Sequence, residues 1–350
     1  MKVECRLSAL VLFFVLVMAA CGGGGDDSAP KGVATGAYPA LITIDPSGKF
    51  AYVANWGSND ISVYRIDAAT GALTAGTTVA AAVKPASIAV DRSGKFAYAA
   101  NWGSNTLSVY RIDAATGALT AGTAATTGIN PASVAVDPLG KFVYAANEGD
   151  HTISVYTLDP ATGALTAGTA AAAGTTPTSI AIDRSGKFLY AANWGSNSVS
   201  AYTIDAATGA LTAGTAVATG TNPVSVAIDP LGKFLYAANW GSNTISIFTI
   251  DAATGALTAG TAVAAGTNPN FVTVDPSGKF AYAANWGSNN ISVYNIAPAT
   301  GALTAGTAVA AGTNPTSIAV GPSGKFAYAT NEADNSISVY TVNATTGALQ

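Results

Sequence analysis

The chain has little of what most enzyme sites are made from. It holds two cysteines, one histidine and two methionines in 350 residues, and only 10% of its residues are charged. Cys5 and Cys21 both lie near the N-terminus, so the rest of the chain can form no disulfide and must be held by packing. With His151 as the single histidine, a structural zinc site is excluded in practice. There is no Cys-x-x-Cys, His-Glu-x-x-His or Gly-x-Ser-x-Gly motif. Gly48-Lys49 is followed by Phe50 without the upstream glycine of a phosphate-binding loop, so no nucleotide or other cofactor is expected. Net charge is −4 with no basic run, which excludes a nucleic-acid binder.

The N-terminus reads as an export signal over residues 1–20. Lys2 and Arg6 precede an apolar run of 14 residues, Leu7 to Ala20, which is short for a bilayer span. The run ends in Met18-Ala19-Ala20-Cys21, which resembles a bacterial lipobox; the resemblance implies lipidation of Cys21. An ordinary cleaved signal peptide is the alternative. Residues 21–30 then form a Gly- and Asp-rich tether. Gly22 after the cysteine, rather than Asp, points to the outer membrane under the enteric sorting rule, and hence to a lipid-anchored monomer of the cell envelope. Net charge becomes −5 once Lys2, Arg6 and Glu4 leave with the signal.

What the chain has in abundance is repetition. Gly-Lys-Phe begins at 48, 94, 140, 186, 232, 278 and 324, every step being 46 residues. A Tyr lies two residues after each Phe, and an Asn three residues further on, from Asn55 to Asn331. A period of this size is that of propeller blades. In the copy Pro223 to Asn268, a β-branched run Val224–Asp229 leads into the turn Asp229-Pro-Leu-Gly-Lys233. Phe234–Ala238 is a second strand, Asn239-Trp-Gly-Ser-Asn243 a turn, and Thr244–Asp251 an alternating third strand. After Asp251-Ala-Ala-Thr-Gly255, the segment Leu257–Ala265 is expected as one outer strand. Its alanines favour helix, but Gly, Thr and Pro interrupt it every few residues.

Seven such units predict an all-β, seven-bladed propeller over residues 31–350, with four antiparallel strands per blade. The last copy stops at Gln350 before its fourth strand is complete, while Val33–Pro39 aligns with Val309–Pro315. The N-terminal segment is therefore expected to complete the seventh blade and close the ring. A linear solenoid would have no use for complementary ends.

Phe-x-Tyr-x-x-Asn, then Ile-Ser-Val-Tyr, then Asp-x-x-Thr-Gly-x-Leu resembles the lactonase-like seven-bladed propellers, which include the 6-phosphogluconolactonases, and the surface-layer propellers with a Tyr-Val-Thr-Asn repeat. Here that tetrad reads Tyr52-Val-Ala-Asn55, and the resemblance covers residues 39–350. It implies a lactone-hydrolysing site on one ring face, with His and Arg at the starts of the inner strands. The matching starts, such as Pro85-Ala-Ser87, Pro131-Ala-Ser133, Pro177-Thr-Ser179 and Pro269-Asn-Phe271, carry neither.

Alternate turns of a propeller share a face, so the Asn-Trp-Gly-Ser-Asn turns and the Gly-Thr-Asn-Pro connections are expected on one rim. All five tryptophans, Trp56, Trp102, Trp194, Trp240 and Trp286, fall there. They read as stacking plates for a glycan or another flat small molecule, or as covers over the seams between blades. Two turns depart from the pattern and place Glu148, Asp150, His151, Glu332 and Asp334 on this rim, in blades three and seven, nearly opposite each other. They offer acid–base groups or a weak cation site, or are simply drifted turns. Lys84 replaces the usual Asn or Thr of a connection, where it could attract an anion or be solvated. The Asp45 series reads as turn chemistry. Few distinct residues converge, so the sequence favours a non-catalytic module binding a protein, glycan or small molecule on the Trp rim; a lactonase is the alternative.

Overall fold

The computed structural model describes residues 32–350; the export signal, Cys21 and the tether lie outside the described residues. Seven antiparallel sheets follow one another at the predicted spacing, and no helix occurs among the described residues. In the first blade the inner strand is Pro39–Ile44, the second Phe50–Asn55 and the third Asp60–Ile66.

The outer strand is not the single element expected from Leu257–Ala265. In the fifth blade it is two pieces, Leu257–Ala259 and Val263–Ala264, each paired to one half of the third strand Thr244–Ile250. Between them the Gly260 N–H turns in to the carbonyl of Ile247 at 2.7 Å, so the chain bulges out and returns. The Gly-Thr pair that interrupts any helix also interrupts the strand.

Local chemistry explains the turns. In the first blade Asp45 Oδ1 accepts the N–H groups of Lys49 (2.8 Å) and Phe50 (2.7 Å), while Oδ2 accepts that of Ser47. The aspartates are thus turn clamps. At Gly321 the same turn lacks the carboxylate and is held by backbone bonds, Gly321 N–H to Phe326 carbonyl and Gly324 N–H to Gly321 carbonyl, with Ser323 Oγ accepting the Lys325 N–H at 3.3 Å.

Each second strand is buried along its whole length, Phe50–Asn55 being typical, because a neighbouring blade covers each face. There are accordingly seven cores, one per seam. Phe50, Tyr52 and Val63 of the first blade pack on Ile88, Ala99 and Tyr110 of the second. Alanines such as Ala97 and Ala99 let the sheets approach closely beside the large tyrosines.

Polar bonds repeat across every seam. Tyr52 Oη donates to the carbonyl of Gly117 in the next blade at 3.0 Å. Gly117 has φ of 74°, and a Cβ there would stand 2.4 Å from the Phe50 ring. Gly117→Ala combines left-handed strain with overpacking and is expected to cost about 3 kcal/mol in urea melts. Gly122→Ala, whose Cβ would meet only ordinary contacts at 3.5 Å or more, is expected to stay within about 1 kcal/mol of the parent. Equal losses would mean that the contact of Gly117 with the Phe50 ring does not constrain the seam.

The same tyrosines set a pH limit. Burial pushes the phenols of Tyr328 and Tyr340 up to about 12, and those of Tyr52, Tyr98 and their counterparts higher still. An unfolded chain ionises its phenols near pH 10, so folding gains stability below that pH and loses it as pH rises through the folded values. Apart from that of half-exposed Tyr38, tyrosinate absorbance should therefore appear in one cooperative step together with loss of the sheet signal. A gradual rise on an intact fold would contradict it.

Closure follows the expected route. Val33–Ala34 pairs with the third strand of the seventh blade, Val33 opposite Ile337 and Ala34 opposite Ser336. The other half of that outer strand comes from the C-terminus, where Val342 bridges Leu349 and Thr341 exchanges two backbone bonds with Gln350. The two halves of this outer strand thus come from the first and last described segments, whereas every other blade takes both from one segment. Tyr328 Oη to the Gly71 carbonyl (2.9 Å) and Tyr64 Oη to the Ala34 carbonyl (2.7 Å) staple blade seven to blade one.

Candidate functional site

The Trp rim is built from the second strand outward. Asn55 is fully buried, and its Nδ2 donates to Ser62 Oγ at 2.8 Å; Asn331 does the same with Ser338 at 2.9 Å. This clamp ends the second strand at a constant height. The next residue donates its backbone N–H to the preceding connection, as Trp56 does to the Tyr38 carbonyl at 2.9 Å. The Trp turns and the connections therefore share one face, and the side chain after each Asn stands in a ring around the axis.

That ring reads Trp56, Trp102, Glu148, Trp194, Trp240, Trp286, Glu332. Neighbouring indoles lean on one another: Trp56 and Trp102 have centroids 5.2 Å apart, Trp240 and Trp286 5.4 Å. Each glutamate takes the indole N–H of the Trp before it, Trp102 Nε1 to Glu148 at 3.0 Å and Trp286 Nε1 to Glu332 at 2.8 Å. Glu148 and Trp56 are buried, while the other indoles and Glu332 are half-buried. The tryptophans thus cover seams and also keep surface facing the opening.

Inside the ring lies a cavity of about 230 Å³ on the propeller axis, lined by the starts of all seven inner strands. Of the residues singled out from sequence, Trp56, Trp240, Trp286 and Glu332 line it. Trp102, Trp194 and Glu148 belong to the ring but not to this lining. Lys84 sits above the ring with Nζ 5.2 Å from the Trp56 ring centre and 5.4 Å from that of Trp102.

Asp150 and His151 do not reach the cavity. Asp150 Oδ2 accepts the Ile129 N–H at 2.6 Å, the bond that Ser196 Oγ makes to Thr175 in the next blade. Asp334 keeps it with Thr313. His151 has φ of 58° and its Nδ1 accepts the Thr176 N–H at 3.0 Å, as Asn59 Oδ1 does for Lys84 at 2.7 Å. These side chains are turn holders in which a different acceptor does the same work. Among the described residues no three His, Cys, Asp or Glu side chains gather as a metal set.

Burial raises the Glu332 carboxyl above the ordinary carboxylate range, with the Trp286 N–H pulling it partly back. Glu332 is also the one ionisable carboxylate of the lining. Around it the sevenfold pattern breaks. Ser87, Ser133, Ser179 and Ser225 each accept an N–H from the next inner strand, at 3.2 to 3.3 Å. In blades one and six that serine is Leu41 or Phe271, and Asn270 precedes Phe271, donating to the Thr316 carbonyl at 2.8 Å. Tyr38, half-exposed with φ of 51°, closes the sector. Leu41, Tyr38, Asn270 and Phe271 escaped the sequence reading, although Pro39-Ala-Leu41 and Pro269-Asn-Phe271 both break the recurring Pro-x-Ser. Polar and bulky exceptions thus cluster in blades six, seven and one, where a ligand can be held in one orientation.

The profile of the family described as lactonase, seven-bladed β-propeller, matches residues 27–82, 75–182, 167–274 and 261–350, together nearly the whole chain. No curated protein matches it in sequence. Among solved structures, a candidate 6-phosphogluconolactonase of Bacteroides uniformis is 26% identical, with 85% of this chain and 92% of that one covered at a TM-score of 0.77. A candidate 6-phosphogluconolactonase of Bacteroides fragilis is 24% identical, with 86% and 92% covered at 0.78. A periplasmic gluconolactonase of Pseudomonas aeruginosa is 21% identical, with 79% and 86% covered at 0.70. The last two likenesses, being more distant, speak for the fold alone.

Proposed function

From the premise that the chain belongs to the lactonase seven-bladed β-propeller family, we propose that it hydrolyses a small sugar lactone in the axial cavity, with Glu332 as the general base. The observation that carries this reading is a half-buried carboxylate with a raised pKa, held by the Trp286 indole and lining a cavity of suitable size. The likeness to the Bacteroides uniformis protein supports the same chemistry.

In the reaction Glu332 takes a proton from water while the hydroxide oxygen adds to the lactone carbonyl carbon. The ring C–O bond then breaks, and the departing alkoxide receives the proton back from Glu332, leaving a hydroxy acid. The carboxamide of Asn270 lies in the same lining to orient the substrate, and the indole faces pack against the sugar ring. The Cys21 signal would hold this domain at the cell envelope on a lipid anchor.

A second reading, binding without turnover, draws support from what the lining holds. Among its described residues there is no His, Arg, Lys or Cys, and four of its serine hydroxyls already bond backbone N–H groups. The deciding experiment follows acid release from gluconolactone beside the spontaneous reaction. A protein-dependent, saturable rate supports hydrolysis. Saturable binding at the uncatalysed rate moves the assignment to the second reading.

A further inference from the structure

We propose that the aromatic mouth also binds a quaternary ammonium group carried by a small molecule. The inference concerns a ligand class and does not depend on lactone turnover. Five aromatic side chains, Tyr38, Trp56, Trp240, Phe271 and Trp286, share the cavity lining with Glu332, and no cationic side chain lines it. Aromatic faces around one carboxylate form a site for a cation without N–H groups.

The ring already holds a cation in this way. The Lys84 ammonium rests 5.2 and 5.4 Å from two indole centres. The turn does not require a lysine there, since the six corresponding positions are Tyr38, Asn130, Thr176, Asn222, Asn268 and Asn314. Its exposed side chain acts as an intramolecular stand-in, on blades one and two, for a ligand bound on the Glu332 side.

One feature selects that side. The Trp286 indole N–H donates to Glu332 at 2.8 Å. Donation to a carboxylate polarises the indole and makes its face more negative. Serine hydroxyls around the axis already accept backbone N–H groups, as Ser133 does from Ile180 at 3.2 Å and Ser317 of blade seven from Ile42 at 3.0 Å. A primary ammonium entering here would find few acceptors for its three N–H groups, whereas a trimethylammonium head needs none. That asymmetry argues for the methylated cation over a lysine-like amine.

The test titrates the purified protein with choline and with the neutral tert-butyl isostere of choline, reading tryptophan fluorescence and calorimetric heat. Choline is expected to saturate, with the isostere about ten-fold weaker or worse. Trp286→Leu is expected to weaken choline by about ten-fold or more, and Lys84→Met to tighten it several-fold by removing a competing cation. Equal affinity for choline and its isostere overturns the proposal, as does no saturable signal with either. The isostere comparison needs no variant, so a misfolded Trp286→Leu leaves the test intact. Loss of choline binding beside intact gluconolactone turnover would remove this inference alone.

Discussion

Glu332→Gln is expected to lower the rate constant of the proposed lactone hydrolysis by about 10²–10³-fold, the usual worth of a positioned general base. Gln keeps the shape and an oxygen acceptor for the Trp286 indole, now 2.8 Å from the carboxylate, but cannot take a proton from water. The wild-type rate should rise with pH through a value above the ordinary carboxylate range, because burial raises the Glu332 carboxyl and only the ionised form is a base. The variant should lose that limb of the profile while its melting temperature barely moves. Glu148→Gln provides the contrast. Glu148 holds the Trp102 indole in the same manner but stands outside the cavity lining, so turnover should stay within a few-fold of the parent. An unchanged rate and profile in Glu332→Gln would end the assignment of the base. Equal losses in both variants would trace the effect to the ring of indoles instead.

A chain shortened to begin at Gly36 is expected to melt about 7 °C lower and to self-associate. It lacks the Val33–Ala34 strand, the Thr35 N–H bond to the Asn335 carbonyl and the Thr35 hydroxyl bond to buried Asn55. The Tyr64 phenol, 2% exposed, loses its acceptor at Ala34. Stranding such a group costs about 1–3 kcal/mol, and with the lost ladder and the partial burial of Val33 the total is about 5 kcal/mol. Unfolding entropy of about 2.1 cal/mol/K per residue turns this into the stated shift for a domain of this length. The exposed edge at Ile337 is a template for a second chain, so light scattering should report association before the melt. An unaltered melting temperature would mean that blade seven does not need its borrowed strand.

Much of this architecture was legible in the chain because it is local and repeated. Phe-x-Tyr-x-x-Asn is a strand whose two aromatics face one neighbouring blade, whose intervening small residues face the other, and whose Asn clamps the next strand. Asp45 and its counterparts announce a turn because a carboxylate two to five residues before backbone N–H groups can accept them. The complementary ends announced closure. The split of the outer strand was not legible, because Leu257–Ala265 has the composition of one strand. Whether Gly260 continues it or folds in to Ile247 depends on the strand beside it.

Roles on the rim were harder to read. Asp150, His151 and Glu332 look alike in sequence as polar departures from a Trp turn. The structure gives Asp150 and His151 the work of a Ser and an Asn, bonding Ile129 and Thr176, and turns Glu332 to the cavity. Asn270 and Phe271, two residues among many on an inner strand, gain meaning only from what stands across the axis.

The sequence by itself determined the blade, its number and the latch, since a 46-residue period with matching ends leaves a ring of seven as the form that buries both faces of every sheet. Tertiary structure alone decided which side chains meet at the axis. Residues from seven blades, separated by as much as the length of the chain, are brought together there by ring curvature, and no local pattern encodes where a side chain lands once the circle closes.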